Sequence, residues 1–202
     1  MIHTDHRFLE AVEAAVGKLE AGTDAEIVVV ASGRSGHYRD VAMAAASGVA
    51  LALLVAMLYV PVVIPPWGVV VELLVVWPLA ALLFNGPRTV RLLTSKRRLQ
   101  RQVREAAAAE FVHEGVYATP QHTGILVYLS ALEGEVEVVS DVGIDGRVPP
   151  GEWRKATAEF AYADLDHFLH GLERVGEVLA KHVPPVDDPN RLELSDAPRV
   201  RS

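Results

Sequence analysis

Apolar and polar positions alternate with different periods along the chain, and each period predicts an element. Over residues 4–21 the apolar side chains Phe8, Leu9, Val12, Ala15, Val16 and Leu19 recur at helical spacing. Thr4 or Asp5 supplies a cap and Gly22 a stop, so an amphipathic helix is predicted. Glu26-Ile27-Val28-Val29-Val30-Ala31 is a continuous β-branched run, the pattern of a strand buried on both faces. A second helix is predicted over about 95–114, with Leu99, Val103, Ala106, Ala107 and Phe111 on one face and Gly115 at its end. Ile125-Leu126-Val127-Tyr128-Leu129-Ser130 repeats the buried-strand pattern. After Glu133-Gly134, the segment Glu135–Ser140 begins by alternating charged with apolar residues. Alternation marks a half-exposed strand, so the pair reads as an antiparallel hairpin whose second strand lies toward an edge. Pro149-Pro150-Gly151 opens a helix carrying Trp153, Ala156, Thr157 and Phe160. A last amphipathic helix over 164–181 offers Leu165, Phe168, Leu169, Leu172, Val175 and Leu179; Pro184-Pro185 ends it, and 184–202 is expected to be an extended tail. Helix, strand, helix, strand, strand, helix, helix is an α/β order.

Between the first strand and the second helix the polar signal disappears. Residues 41–87 contain a single charge, Glu72, and 41–71 contain none. Thirty-one helical residues would reach about 46 Å, against about 30 Å for a hydrocarbon core, so one span is too long. Pro61, Pro65 and Pro66 supply the break. The predicted arrangement is a membrane hairpin with spans at 41–60 and 67–84, Tyr59 and Trp67 at the turn, and Asn85-Gly86-Pro87 closing the second span. A buried helical hairpin in a soluble protein is the competing reading, but it calls for a polar stripe that Val41–Tyr59 lacks. Small residues from Ala42 to Ala52 suit close helix packing or self-association. An acid inside a membrane marks function by default. Glu72, only about 7 Å from the turn-side interface at 1.5 Å per residue, reads instead as a snorkelling or protonated carboxyl.

Charge orients this hairpin. Arg34 and Arg39 precede it, and Arg88, Arg91, Lys96, Arg97, Arg98, Arg101 and Arg104 follow it without an intervening acid. The positive-inside rule places both hydrophilic parts in the cytoplasm and the Pro-rich turn outside. The expected location is therefore a cell inner (plasma) membrane, crossed twice, with both termini cytoplasmic. Residues 1–40 lack a basic leader and short apolar core, so no signal peptide is predicted. The seven cations suit anionic lipid head groups, at about 1 kcal/mol per residue near the surface. Residues 105–202 carry a net charge of −10, which argues against nucleic acid; this acidic domain is expected to stand away from the lipid surface or to face a cationic partner.

Composition sharpens the class. The 202 residues are 50% apolar with a net charge of −7, but both figures average an apolar block and an acidic domain of ordinary polarity. That domain is expected to comprise 1–40 and 88–183. The absence of cysteine excludes disulfides, thiolate metal sites and cysteine nucleophiles.

Thr23–Val30, Thr123–Ser130, Val136–Ile144, Trp153, and Gly171 with Gly176 before Leu179 and Pro184 together resemble the TPM domain. This family is named for thylakoid-lumen, photosystem II repair and nematode receptor-modulator members. Asp187–Leu194 is similar to the tail of its bacterial membrane members. The resemblance implies a Rossmann-like three-layer α/β/α fold, here with an inserted two-helix transmembrane hairpin. It also implies a phosphatase activity with a divalent metal, often calcium, held by acids at strand ends. The matching acids here are Asp141 and Asp145, with Glu26 on the first strand. The family's glycine-rich segment is reduced to Gly143, Gly146 and Gly151, interrupted by Pro149-Pro150.

The candidate sites each have a plainer alternative. Asp141-Val142-Gly143-Ile144-Asp145 can wrap Ca²⁺ or Mg²⁺, but such a cation takes six to eight oxygens and no run of acids completes the shell. A solvated turn is the alternative. Asp164, Asp166, His167 and His170 offer a second possible ligand set, against the polar start of an ordinary helix. Ser32-Gly33-Arg34-Ser35-Gly36 reads as a linker or an anion cradle. No phosphate-binding lysine loop, dinucleotide glycine fingerprint or hydrolase elbow occurs. Two functions are expected from these features: a membrane-anchored binding or assembly module, or a divalent-metal-dependent phosphatase.

Overall fold

The computed structural model describes residues 6–61, 65–158, 160, 164–186 and 195–201. The chain forms two compact units: residues 36–99 make one, and 1–35 with 100–202 make the other. The latter is mixed α/β. Helix α1 (His6–Glu20) leads into β1 (Glu26–Ser32), and after the helical unit come β2 (Gly124–Ser130) and β3 (Glu135–Ser140). β1 runs parallel to β2 with Glu26 opposite Gly124, and β2 pairs antiparallel with β3. The predicted hairpin and its edge strand are present.

The continuous apolar runs of β1 and β2 are explained by cover on both faces. Every residue of each strand is buried. Ile27, Val29, Ala31, Ile125, Val127 and Leu129 pack with α1 through Phe8, Val12 and Val16, and with α9 (Leu165–His182) through Phe168, Leu172, Val175 and Leu179. The alternate residues Val28, Val30, Leu126 and Tyr128 face Val103 and Ala107 of α6 (Lys96–His113). Strand periodicity thus distributes one sequence run between two cores.

Several elements differ from the sequence expectations. Within the tail, Arg199–Arg201 pairs as an unforeseen strand β4, parallel to β1, which makes the sheet order β3-β2-β1-β4. Its stabilising contacts are distant in sequence, so no local pattern announces it. Residues 142–145, read as a turn or metal loop, form the single-turn helix α7 (Val142–Asp145). Helix α8 (Pro150–Ala158) ends before Phe160, which still reaches the core and meets Phe168 edge-on at 5.4 Å between ring centres.

The helical unit contains α2 (Arg39–Tyr59) and a continuous helix over Pro66–Phe84. Both are long and apolar enough to cross a membrane. The second consists of α3 (Pro66–Val71), a π-helical segment Glu72–Val76 and α4 (Trp77–Phe84). Ala42, Ala46 and Ala50 form a buried i, i+4 stripe on α2, and Ala80 is buried on α4. The Trp77 indole donates to Ser47 Oγ at 3.1 Å. Leu58, Leu74, Leu82 and Leu83 lie exposed on the outer faces, so this is not a helix pair buried inside a soluble core. A short helix α5 (Pro87–Leu93) that the charge pattern did not suggest precedes α6. Of the predicted turn, residues 62–64 lie outside the described residues, as do 187–194 of the tail.

Candidate functional site

The predicted strand-end acids share one end of the sheet. Glu26 opens β1 opposite Gly124, and the Asp141 amide donates to the Gly124 carbonyl at 2.9 Å. This is the amino end of the parallel pair, whereas ligands of open α/β sheets gather at the carboxyl end. Each aspartate also has protein partners. Asp141, 8% exposed, caps α7 by accepting from the Val142 amide at 2.7 Å, and its Oδ2 lies 3.1 Å from His122 Nδ1. Asp145 accepts from Ser140 Oγ at 2.7 Å. Gly143, expected to give a metal loop its flexibility, is required by packing. A Cβ there would sit 2.4 Å from the carbonyl oxygens of both Gln121 and His122.

One open feature adjoins these groups. A cleft of about 430 Å³ is lined by Ile144, Asp145, Val148, Trp153, Arg154 and Thr157. Its volume suits a small ligand, and it combines an apolar wall with one carboxylate and one guanidinium. Sequence reasoning selected Asp145 but missed Arg154, which carried no motif.

Asp164, Asp166, His167 and His170 form a helix start. Asp164 is the N-cap of α9 and accepts from the His167 amide at 2.8 Å, with His167 Nδ1 at 2.9 Å. The amide first, and then the ring, hold its carboxyl below the usual range. His170 lies 3.7 Å from Glu173 instead. Among the described residues, the trio of acid and histidine side chains whose ligand atoms lie within 4.8 Å of one another is Glu110, His113 and Glu114. Two arginines from β4 already engage it. Arg199 and Arg201 both bridge to Glu114, and Arg201 also reaches Glu110 at 3.3 Å and His113 Nδ1 at 3.1 Å.

At the carboxyl end of the parallel strands lies a polar network that the sequence did not disclose. Ser130 Oγ donates to Glu133 Oε2, Ser35 Oγ donates to Ser130 Oγ at 2.7 Å and lies 3.2 Å from Tyr128 OH, and the Ser35 amide donates to Glu133 Oε1 at 3.1 Å. With Ala131 and Leu132 donating to the carbonyls of Ser32 and Gly33, these bonds tie the segment expected to be a linker to the end of β2.

The predicted lipid-facing cations are divided in their engagements. Arg88, Arg91, Lys96, Arg97, Arg101 and Arg104 are exposed, and Arg98 is half-buried. Arg98 makes a bidentate pair with Asp40 at 2.7 and 2.9 Å and lies over the Tyr38 ring at 5.7 Å. Arg104 lies 3.4 Å from Glu137 and Arg101 3.9 Å from Glu105. Glu72 does not snorkel. It is 2% exposed within the helical unit, and its Oε2 has no hydrogen-bond partner among the described residues.

No family model matches the chain, and no curated protein matches it. Among solved structures, it is similar to the NMR structure of BA42 protein from the psychrophilic bacterium Bizionia argentinensis. The TM-score is 0.57 at 14% identity, over 98% of this chain and 96% of that one. At that identity the likeness concerns the fold.

Proposed function

We propose that the chain is a membrane-anchored binding or assembly module of TPM type. In this reading a Rossmann-like three-layer α/β/α domain is interrupted by a two-span hairpin and lies on the cytoplasmic face of a bacterial inner membrane. The single observation that carries a binding role over a catalytic one is the state of the strand-end aspartates. Asp141 and Asp145 already have protein partners in Val142, His122 and Ser140, whereas a hard divalent cation takes six or more oxygens. Support for the anchor comes from the two apolar helices and the exposed leucines on them.

The test combines topology with partner capture. Reporter fusions after Pro61 and after Ser202 should report opposite sides of the membrane, with Ser202 cytoplasmic. Crosslinking in intact membranes should retain a protein partner or a second copy. An external Ser202, or no crosslinked species under any salt condition, would reject the reading.

A divalent-metal-dependent phosphatase is the second reading, favoured by the cleft whose lining includes both Asp145 and Arg154. Guanidinium suits a phosphate group, and Asp145 would contribute to holding Ca²⁺ or Mg²⁺. Metal-stimulated hydrolysis of a generic phosphomonoester that disappears in both Asp145→Asn and Arg154→Ala would establish it over the binding role.

A further inference from the structure

Strand β4 occupies a short, chemically defined groove. One side of the groove is the edge of β1, where Val30, Ala31 and Ser32 face Arg199, Val200 and Arg201 in parallel register, and the Gly33 amide donates to the Arg201 carbonyl at 3.1 Å. The other side is the last turn of α6. Glu110 in that turn and Glu114 just beyond it are 21% and 10% exposed at their side chains with β4 in place; Glu114 accepts from both arginines and Glu110 from Arg201. The groove has a fixed length. Beyond Val30 the edge is blocked where Glu20 Oε1 takes the Ile27 amide at 2.7 Å. Two carboxylates held this close repel one another unless a cation lies between them, so the groove selects positive charge. The main-chain pairing selects an extended segment. Together these requirements describe an Arg-x-Arg strand, and Val200, half exposed between the arginines, adds little to the selection.

We propose that this groove is a docking site for an extended Arg-x-Arg segment, filled within the chain by Arg199–Arg201 and exchanged with the same segment of a second copy. The exchange needs no new chemistry, because the incoming strand makes the same bonds as the outgoing one. Only three residues pair, so the strand is short enough to leave. A metal at Glu110, His113 and Glu114 is disfavoured because both guanidiniums lie among the ligand atoms. The proposal rests on the assembly reading for its purpose but identifies a surface that reading did not use.

Charge exchange in the full chain, in detergent micelles, tests it. Glu110→Arg with Glu114→Arg makes one variant, and Arg199→Glu with Arg201→Glu makes the other. Each variant alone repels its own strand, and mixing restores opposite charges in both grooves. Differently tagged copies of the two variants should co-purify at least tenfold better than tagged copies of either variant with itself. Equal recovery from all mixtures, with native circular dichroism, would overturn the proposal; a partner captured independently would leave the broader assembly reading standing. A second measurement uses only folded wild-type chain. A labelled peptide with the sequence of residues 195–202 should bind about tenfold more tightly than the same peptide carrying Arg201→Ala. Equal binding of the two peptides would also overturn it.

Discussion

The carboxyls of Glu20 and Asp196 lie close to one another, where the end of α1 meets the residues leading into β4. A Cβ on Gly17, one turn earlier in α1, would lie 3.1 Å from the Asp196 carboxylate, so the two segments are in close contact. Glu20 also accepts the Ile27 amide, which belongs to the edge of β1 below the reach of β4. Burial, chiefly, pushes the Glu20 carboxyl up to about 8. The Ile27 amide opposes that rise, and the nearby charges of Glu26 and Asp196 add to it.

A pH dependence of stability follows. An acid whose folded-state value lies above its ordinary 4.5 holds its proton better in the folded chain. Its contribution is full below pH 4.5, declines as pH rises, and is lost above about 8. Thermal melts between pH 5 and 9 should show the α/β unit losing stability across that window. Glu20→Gln keeps an acceptor for Ile27 and cannot ionise, so it should flatten the profile. A wild-type profile that rises between pH 5 and 8 contradicts the assignment.

Gly143 and Gly151 should respond oppositely to the same substitution. At Gly143 an added Cβ meets two backbone carbonyls at 2.4 Å, and backbone cannot move aside as a side-chain tip can. Gly143→Ala should cost about 3 kcal/mol, the upper end of ordinary overpacking. Gly151 lies in α8 with nothing within 4 Å of the added carbon. Gly151→Ala should stabilise by about 0.5–1 kcal/mol, because alanine loses less backbone entropy in a helix. Denaturant midpoints of the two variants measure the contrast directly.

The aromatic cluster provides a third check. Phe168 is fully buried, 5.7 Å from the Phe8 ring and 5.4 Å from the Phe160 ring between centroids, so three segments meet on it. Phe168→Ala should cost about 3–5 kcal/mol, a large part of the stability of a domain this size. Phe168→Leu should cost less, because it retains most of the buried volume. Equal losses for the two would mean that edge-to-face ring geometry, not filled volume, dominates the site.

The elements readable in the sequence were those whose signal is local. The valines of β1 and the stripe Phe168, Leu172, Val175, Leu179 on α9 carry their own periodicity, and the structure places both in the core. β4 carries no such signal: Arg-Val-Arg becomes a strand through Glu110 on α6 and Glu114 just beyond it, far away in sequence. The same holds for the polar network of Ser35, Ser130 and Glu133, whose members meet only after β1 and β2 pair. Among the candidate sites, Asp164 and His167 were readable as a helix start because capping is a short-range pattern. Arg154 was not readable because a cleft wall joins α7 to α8 without any spacing rule.

Asp141 tests whether the strand-end acids serve a fold or a metal. As an N-cap it can be replaced by asparagine, which accepts from the same amide, but not by alanine. Asp141→Ala should therefore cost about 1–2 kcal/mol, and Asp141→Asn much less. A metal ligand ranks the substitutions differently, since asparagine lacks the charge a hard cation requires. Ca²⁺ at a hundredfold excess over its dissociation constant would add about 2.7 kcal/mol to the wild type. That gain would vanish equally in the alanine and asparagine variants. The capping role predicts no such gain at any Ca²⁺ or Mg²⁺ concentration that leaves the chain soluble, and asparagine close to aspartate throughout. Melts of the three chains with and without each cation separate the two roles, and a cation-dependent rise confined to the wild type would assign Asp141 to a metal.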